Sequence, residues 1–237
     1  MTSPLPRDGR EGVSSGAESP VEPPVAVLLG GGVESTSLVA RFLADGRDVI
    51  PIHITCGLRW DAAESRWVRR FCKSLQSPRL ADLIEIPLPL SGFLRDHWAV
   101  TGVDIPRAGA ASARLEIPLR NLTLLGFAVH WLKHVPRYEL ALGTTADNHY
   151  PDGSRDYFDR VEAVLTLEAG FPIRILTPFI RLTKSDVIRQ SPRQILAASF
   201  SCVDPQGDRL CGRCIKCGSR RAAFAAAGVD DPTDYAA

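Results

Sequence analysis

The chain has 237 residues, 45% of them hydrophobic and 23% charged, with a formal net charge of +1. A chain of this length accommodates one large α/β domain without needing a second. The near-neutral balance argues against nucleic acid as a principal partner, and apolar runs such as VAVLL and VIPIHI are far too short to cross a membrane.

Residues 1–24 are rich in Pro, Ser, Gly and Glu, contain no apolar stretch, and read as a disordered tail. From residue 25 onward, short β-branched runs alternate with longer helical ones. Strands are expected at 25–29, 49–55, 83–87, 139–142 and 173–178. Helices are expected at 34–44, 62–75, 120–134, 157–168 and 184–189. Residues 91–118, with Gly92, Gly102, Pro106, Gly109 and Pro118, read as a long irregular loop, a feature that is more often functional than not. Strand–helix alternation of this kind predicts an α/β fold with a doubly wound, mostly parallel sheet over 25–200, followed by a metal-binding segment over 201–237. In such sheets a ligand lies beyond the carboxyl ends of the strands, where GGGVESTS, CGLRW, GTTADNHYPDG and TPFIRLTKSD fall.

The first strand runs straight into Gly30, Gly31 and Gly32 and then into a helix. Glycines let the backbone turn tightly, and the helix start offers unpaired N–H groups and positive dipole to an anion such as a phosphate. Ser35, Thr36 and Ser37 add hydroxyls, and Glu34 stands where a carboxylate can help hold magnesium. The segment is neither a Walker loop nor GxGxxG, so by itself it is equally compatible with a plain strand–helix turn.

Near the other end, SCVDPQGDRLCGRCIKC holds Cys202, Cys211, Cys214 and Cys217, with two CxxC steps sharing Cys214. Clustered thiols with this spacing predict a closed tetrahedral zinc site, with disulfides or unrelated buried cysteines as the alternative. Arg209, Arg213 and Lys216 are expected to ease the crowding of thiolates. With no export signal in view, six cysteines suit the reducing cytoplasm. Cys56 and Cys72 read as simple buried residues.

GGGVES resembles the SGGxDS signature of PP-loop ATP pyrophosphatases. Together with TPFIRLTKSDVIR, the cysteine segment, IPLRNLTLLGFAVH, YPDGSRDYF and DDPTDY, it makes the chain similar to 7-cyano-7-deazaguanine synthases of queuosine-precursor biosynthesis, from about Val25 to Tyr235. The resemblance implies an adenine-nucleotide α-hydrolase-like (Rossmann-like) fold, ATP with Mg2+, a zinc knot, and often a homodimer. It implies an ATP-dependent carbon–nitrogen ligase that adenylates 7-carboxy-7-deazaguanine, admits ammonia to give an amide, and adenylates that amide to reach the nitrile. By position, the backbone of Leu29, Gly30, Gly31, Gly32, Val33, Glu34, Ser35, Thr36, Ser37, Leu38 and Val39 would cradle ATP. Lys184 would neutralise phosphate charge, the alternative being a solvated surface lysine. Arg120 and Asn121 would meet phosphate or a base edge. Asp147, Asp152 and Arg155 would meet the deazaguanine, although Asp152–Gly153 also reads as a turn and His149 as a bystander.

The chain departs from that pattern in Gly30 for serine, Glu34 for aspartate, and TCGLRW for DYGQRH, with Glu64 as a counterpart of a family glutamate. Of these, the longer glutamate bears most on magnesium, whose octahedral shell is strict. Together the departures leave two other readings open: amide formation or coupling to another amine, and a nucleotide-binding protein without turnover.

Overall fold

A computed structural model describes residues 22–236; the expected tail over 1–24 lies almost wholly outside them. The five expected strands form one parallel sheet in the order β3-β2-β1-β4-β5: β1 (Val25–Leu28), β2 (Val49–Thr55), β3 (Ile84–Pro87), β4 (Glu139–Ala141) and β5 (Ile175–Leu176). Strand order reverses between β1 and β4, the topological position at which open α/β sheets bind ligands. β5 is much shorter than the expected 173–178. It is an edge strand paired only with β4, and Pro178 follows close behind it.

Side chains alternate across the sheet because successive Cβ atoms point to opposite faces. On one face Val25 and Val27 of β1, with Leu29 just beyond it, join Leu38 and Val39 of α1 (Val33–Ala44) and Val68 and Phe71 of α2 (Asp61–Ser74). On the other, Ala26 and Leu140 pack on α5 (Arg120–Trp131) and α6 (Arg155–Ala169) through Leu125, Ala128, Phe158 and Val161. The layers are therefore helix, sheet, helix.

The 91–118 segment holds two short helices, α3 (Ser91–Leu94) and α4 (Trp98–Thr101), and a 3-10 turn at Ser112–Leu115, and is otherwise irregular as expected. Beyond α7 (Lys184–Gln190) come two helices that sequence reading did not anticipate, α8 (Arg193–Ala197) and α9 (Ile215–Ala227). α9 packs on α7 and sends Phe224 into the core that α1 shares, so the cysteine segment is built into the domain. A third apolar cluster caps the carboxyl ends of the strands. There Cys56, Trp60 and Trp98 meet Phe200 and the four clustered cysteines.

Candidate functional site

The bend after β1 is shaped by Gly31, whose φ of +70° is a region that L side chains rarely adopt. A Cβ there would stand 3.3 Å from Val68 Cγ2, and the Gly31 carbonyl accepts the Phe200 N–H at 2.7 Å. Gly32 caps α1 with extended backbone and no side-chain bond. Thr36 donates the first intrahelical bond, to the Gly32 carbonyl at 3.0 Å, which leaves the N–H groups of Val33, Glu34 and Ser35 without a helical partner. Gly143, just after β4, is pressed against this turn; a Cβ on it would lie 2.8 Å from the Glu34 carbonyl carbon.

The expected hydroxyl donors are otherwise engaged. Ser35 and Thr36 donate to the Gly32 carbonyl at 3.2 and 3.0 Å, and Ser37 pairs with Ser191 at 2.7 Å inside the fold. The side chains of Leu29, Val33, Leu38 and Val39 are core, so any part these residues take in anion binding comes from backbone alone.

Lys184 opens α7 and crosses to the loop, where its Nζ lies 2.9 Å from Glu34 Oε1, with the two side chains only 15% and 20% exposed. That rules out a solvated surface lysine. Burial works against ionisation of Glu34, but the adjacent Lys184 ammonium outweighs it and holds the carboxyl below its ordinary value. Asp147 sits at the same corner, its carboxylate accepting the Lys184 backbone N–H at 2.6 Å. A capping box between Thr183 and Asp186 fixes where α7 begins.

From the glycine bend a cleft of about 220 Å³ opens across the carboxyl ends of β1, β2 and β4, lined among others by Gly30, His53, Glu64, Arg120, Asn121 and Asn148. Arg120 enters behind Leu119, a non-glycine residue at φ +61°, and its buried Nε finds no hydrogen-bond partner among the described residues. Asn121 donates to the Asp152 carbonyl at 3.0 Å, so Asp152 reaches this wall through its backbone, within a 3-10 turn at Pro151–Gly153. His53 is fully buried between the Leu29 carbonyl (3.0 Å) and Ser65 Oγ (2.9 Å), and burial keeps its ring neutral.

Arg155 is not brought here. Its guanidinium is taken by Asp159, Glu162 and the Ile175 carbonyl, beside a separate groove at β5. His149 is exposed. Cys56 and Cys72 are free thiols that burial pushes up to about 11; Cys56 is buried as expected, whereas Cys72 is only half-buried against the core.

The four cysteine sulfurs lie within 4.8 Å of one another, with neighbouring pairs at 3.5–3.9 Å. A zinc tetrahedron with Zn–S bonds of about 2.3 Å has edges of about 3.8 Å, so this set fits the ion. Thiolate charge is met by backbone N–H groups: those of Asp204 and Cys211 point at Cys202 Sγ, and those of Arg213 and Cys214 at Cys211 Sγ. The expected cationic side chains go elsewhere. Arg209 binds Asp234, Arg213 reaches Asp204, and Lys216 belongs to the charge cluster of the glycine loop. Asp204, only 7% exposed, also takes Arg59 and Arg107. Main-chain bonds from Ile215 to Pro106 and from Ala108 to Arg213 then fasten the long loop to the knot.

Two residues of this centre were not assigned to it from sequence. Lys216, on the first turn of α9, is lowered to about 8 by burial, with Lys184 and Arg120 repelling its charge and Glu34 and Glu64 favouring it. Glu64, on α2, is raised to about 8 by burial. The sequence did carry a signal for each: a lysine inside CxxC, and a glutamate three residues into a helix that follows a strand end.

A family model described as queuosine biosynthesis protein QueC matches residues 25–228. The chain is 30% identical over 226 residues to a 7-cyano-7-deazaguanine synthase of Anaeromyxobacter dehalogenans, covering 89% of this chain and 94% of that one. A protein of the same name from Syntrophobacter fumaroxidans is 31% identical (88% and 94% covered), and one from Methanoculleus marisnigri 28% (88% and 96%).

Proposed function

The chain belongs to the QueC family of queuosine biosynthesis proteins, and on that premise we propose that it is an ATP-dependent ligase converting 7-carboxy-7-deazaguanine and ammonia to 7-cyano-7-deazaguanine. The observation that carries this reading is the convergence of three open helix-start N–H groups, the Lys184–Glu34 pair and a cleft at the strand-order switch.

A carboxylate resists attack by an amine because it is negative and its oxygen leaves badly. When that oxygen attacks the α-phosphorus of ATP, the bond to pyrophosphate breaks and an acyl-adenylate results. Ammonia then forms the C–N bond as AMP departs with the electron pair of the C–O bond. A second adenylation, on the amide oxygen, again releases pyrophosphate and lets AMP and both N–H protons leave as the C≡N bond closes. The N–H groups of Val33, Glu34 and Ser35 receive phosphate oxygens, and Lys184 supplies positive charge beside them. Arg120, with its unsatisfied Nε, and Asn121 orient the flat acid across the cleft. Magnesium would be held by Glu34 together with the triphosphate and would neutralise phosphate charge; one protein carboxylate plus substrate phosphates is an ordinary magnesium set. Cys202, Cys211, Cys214 and Cys217 would hold zinc as a structural ion, since four thiolates would leave it no open position.

The same reading gives a cytoplasmic protein and a homodimer. Exposed Leu122, Phe127 and Trp131 of α5, with Val164 and Leu167 of α6, offer such a dimer an apolar face.

The test is incubation with ATP, Mg2+, ammonia and 7-carboxy-7-deazaguanine, with products read by mass spectrometry. Nitrile and pyrophosphate together support the reading. Amide alone, or an adduct with another amine, would replace it by a relative that stops early. Absence of pyrophosphate with every acceptor would replace it by a non-catalytic nucleotide binder.

A further inference from the structure

Glu64 is a carboxyl that neither the fold nor nucleotide binding uses. It projects from the first turn of α2 into the cleft wall, where its Oε1 stands 3.9 Å from the point a side chain on Gly30 would occupy. Among the described residues it forms no ion pair within 4.0 Å and no hydrogen bond. On the same helix, Asp61 is spent holding the Cys56 and Leu58 N–H groups at 2.7 and 3.0 Å. Glu34 is held by Lys184, and His53 is locked on both ring nitrogens. Of the acids and bases around the glycine bend, Glu64 alone combines access to the cleft with freedom to exchange a proton. Gly30 adds to this, because a serine there would place a hydroxyl next to the carboxyl.

We infer that Glu64 is the proton acceptor for the nitrogen chemistry, taking the proton that ammonia sheds as it bonds to the acyl carbon. The inference rests on the reading given under Proposed function. In the first step the C–N bond forms, the C–O bond breaks, AMP leaves with the electron pair, and one N–H proton passes to the Glu64 carboxylate. After release of that proton to solvent, the amide oxygen is adenylated and the amide nitrogen, still carrying two protons, loses one to solvent; the same carboxylate takes the other as the second AMP leaves with the C–O electron pair and C≡N closes. No further reactant is needed.

The surroundings suit the task. Burial raises the Glu64 carboxyl to about 8; Arg120 of α5 and Lys216 of α9 act in the opposite direction, while Asp61 adds to the rise. The Cys56 thiol at the end of β2 stays neutral, raised to about 11 by burial. A group titrating near the working pH is the most effective proton carrier, with general base catalysis typically contributing about 10²–10⁴-fold.

The experiment uses the full chain and measures two quantities in parallel: ATP–pyrophosphate exchange driven by 7-carboxy-7-deazaguanine, and amide plus nitrile formed at a fixed concentration of free ammonia. Glu64→Gln is expected to lower the ratio of product to exchange by about 10²-fold or more. In the unaltered protein this ratio is expected to rise with pH and level off above about 8, and Glu64→Asp is expected to restore part of it with a displaced profile. A ratio in Glu64→Gln equal to that of the unaltered protein, or a ratio flat from pH 6.5 to 9 in the unaltered protein, overturns the role of Glu64 and leaves the ligase intact. Absence of exchange in the unaltered protein overturns the proposed function and this role with it.

Discussion

Replacing Lys184 by Met tests the charge arrangement on which nucleotide binding depends, and it does so without substrate. The Nζ–Oε1 separation is 2.9 Å, and both side chains are about four-fifths covered. Exposed pairs contribute about 0.2–1 kcal/mol, whereas removing one partner of a fully buried pair costs about 3–5 kcal/mol. This pair lies between those limits, and Lys216 remains nearby, so a loss of about 2 kcal/mol at pH 7 is expected. The pH dependence separates lost charge from lost packing. In the native protein Glu34 titrates below its ordinary value of 4.5. Its ionised form therefore stabilises the fold above that value, and the contribution disappears as pH falls through the folded value. Without Lys184, burial is opposed only by the weaker effects of Lys216 and a backbone hydrogen bond, and the carboxyl rises. The stability gap between variant and parent should be widest near pH 7 and should close toward pH 4, as the variant's Glu34 takes up a proton. Urea unfolding at both pH values measures it. A gap of the same size at both pH values would refute the electrostatic account, and no gap at either would show that the pair contributes nothing.

Gly31→Ala combines a φ of +70° with a Cβ contact of 3.3 Å to Val68, so a loss of about 1–2 kcal/mol is expected, along with the nucleotide response; differential scanning fluorimetry with and without Mg-ATP reads both. Arg220 is 1% exposed, clamped between Asp231 (3.1 Å), Ser199 Oγ (2.7 Å) and the Leu196 carbonyl. Arg220→Ala removes the cation facing Asp231, which keeps only its bonds from Thr233 and Tyr235, and takes the guanidinium donors from Ser199 Oγ and the Leu196 carbonyl, so it should cost about 3 kcal/mol by urea denaturation. Cys214→Ser should drop bound zinc from one equivalent to near zero by atomic emission and expose residues 103–110 to trypsin, because Pro106 and Arg107 are paired with Ile215 and Cys214. Retention of the metal would show that three sulfurs suffice.

Much of this centre was legible in the sequence, because the elements that build it obey local rules. The apolar run of β1, the glycines at the bend, the start of a helix at Lys184 and the paired CxxC steps each depend on residues a few positions apart. Arg155 misled because an arginine in a polar loop after β4 looks available. Ser154 in fact caps α6 there, and Arg155 belongs to the helix with Asp159 and Glu162 one and two turns on. Helix α9 went unread because its inward stripe, Cys217, Arg220 and Phe224, includes an arginine, and the sequence does not show that Asp231 and Ser199 lie beside it. Glu64 and Lys216 could not be assigned their place for a similar reason. They stand far apart in the chain and converge only when α2 and α9 are both folded against the glycine bend.

That convergence gives the four-cysteine cluster, which could hold zinc, more than a stapling part. Lys216 lies between Cys214 and Cys217 in the sequence, on the first turn of the helix that starts at the knot, and its charge bears on Glu34, Lys184, Arg120 and Glu64. The knot also holds the long loop through Pro106, Arg107 and Ala108, and through Asp204 it anchors Arg59, next to the Trp60–Trp98 stack. Four sulfurs gathered by one ion would thus fix, at the same time, a cation beside the glycine bend and the loop that roofs the strand ends. A structural metal can set the electrostatics of a reaction it never touches, provided its ligands are carried by the elements that carry the charges.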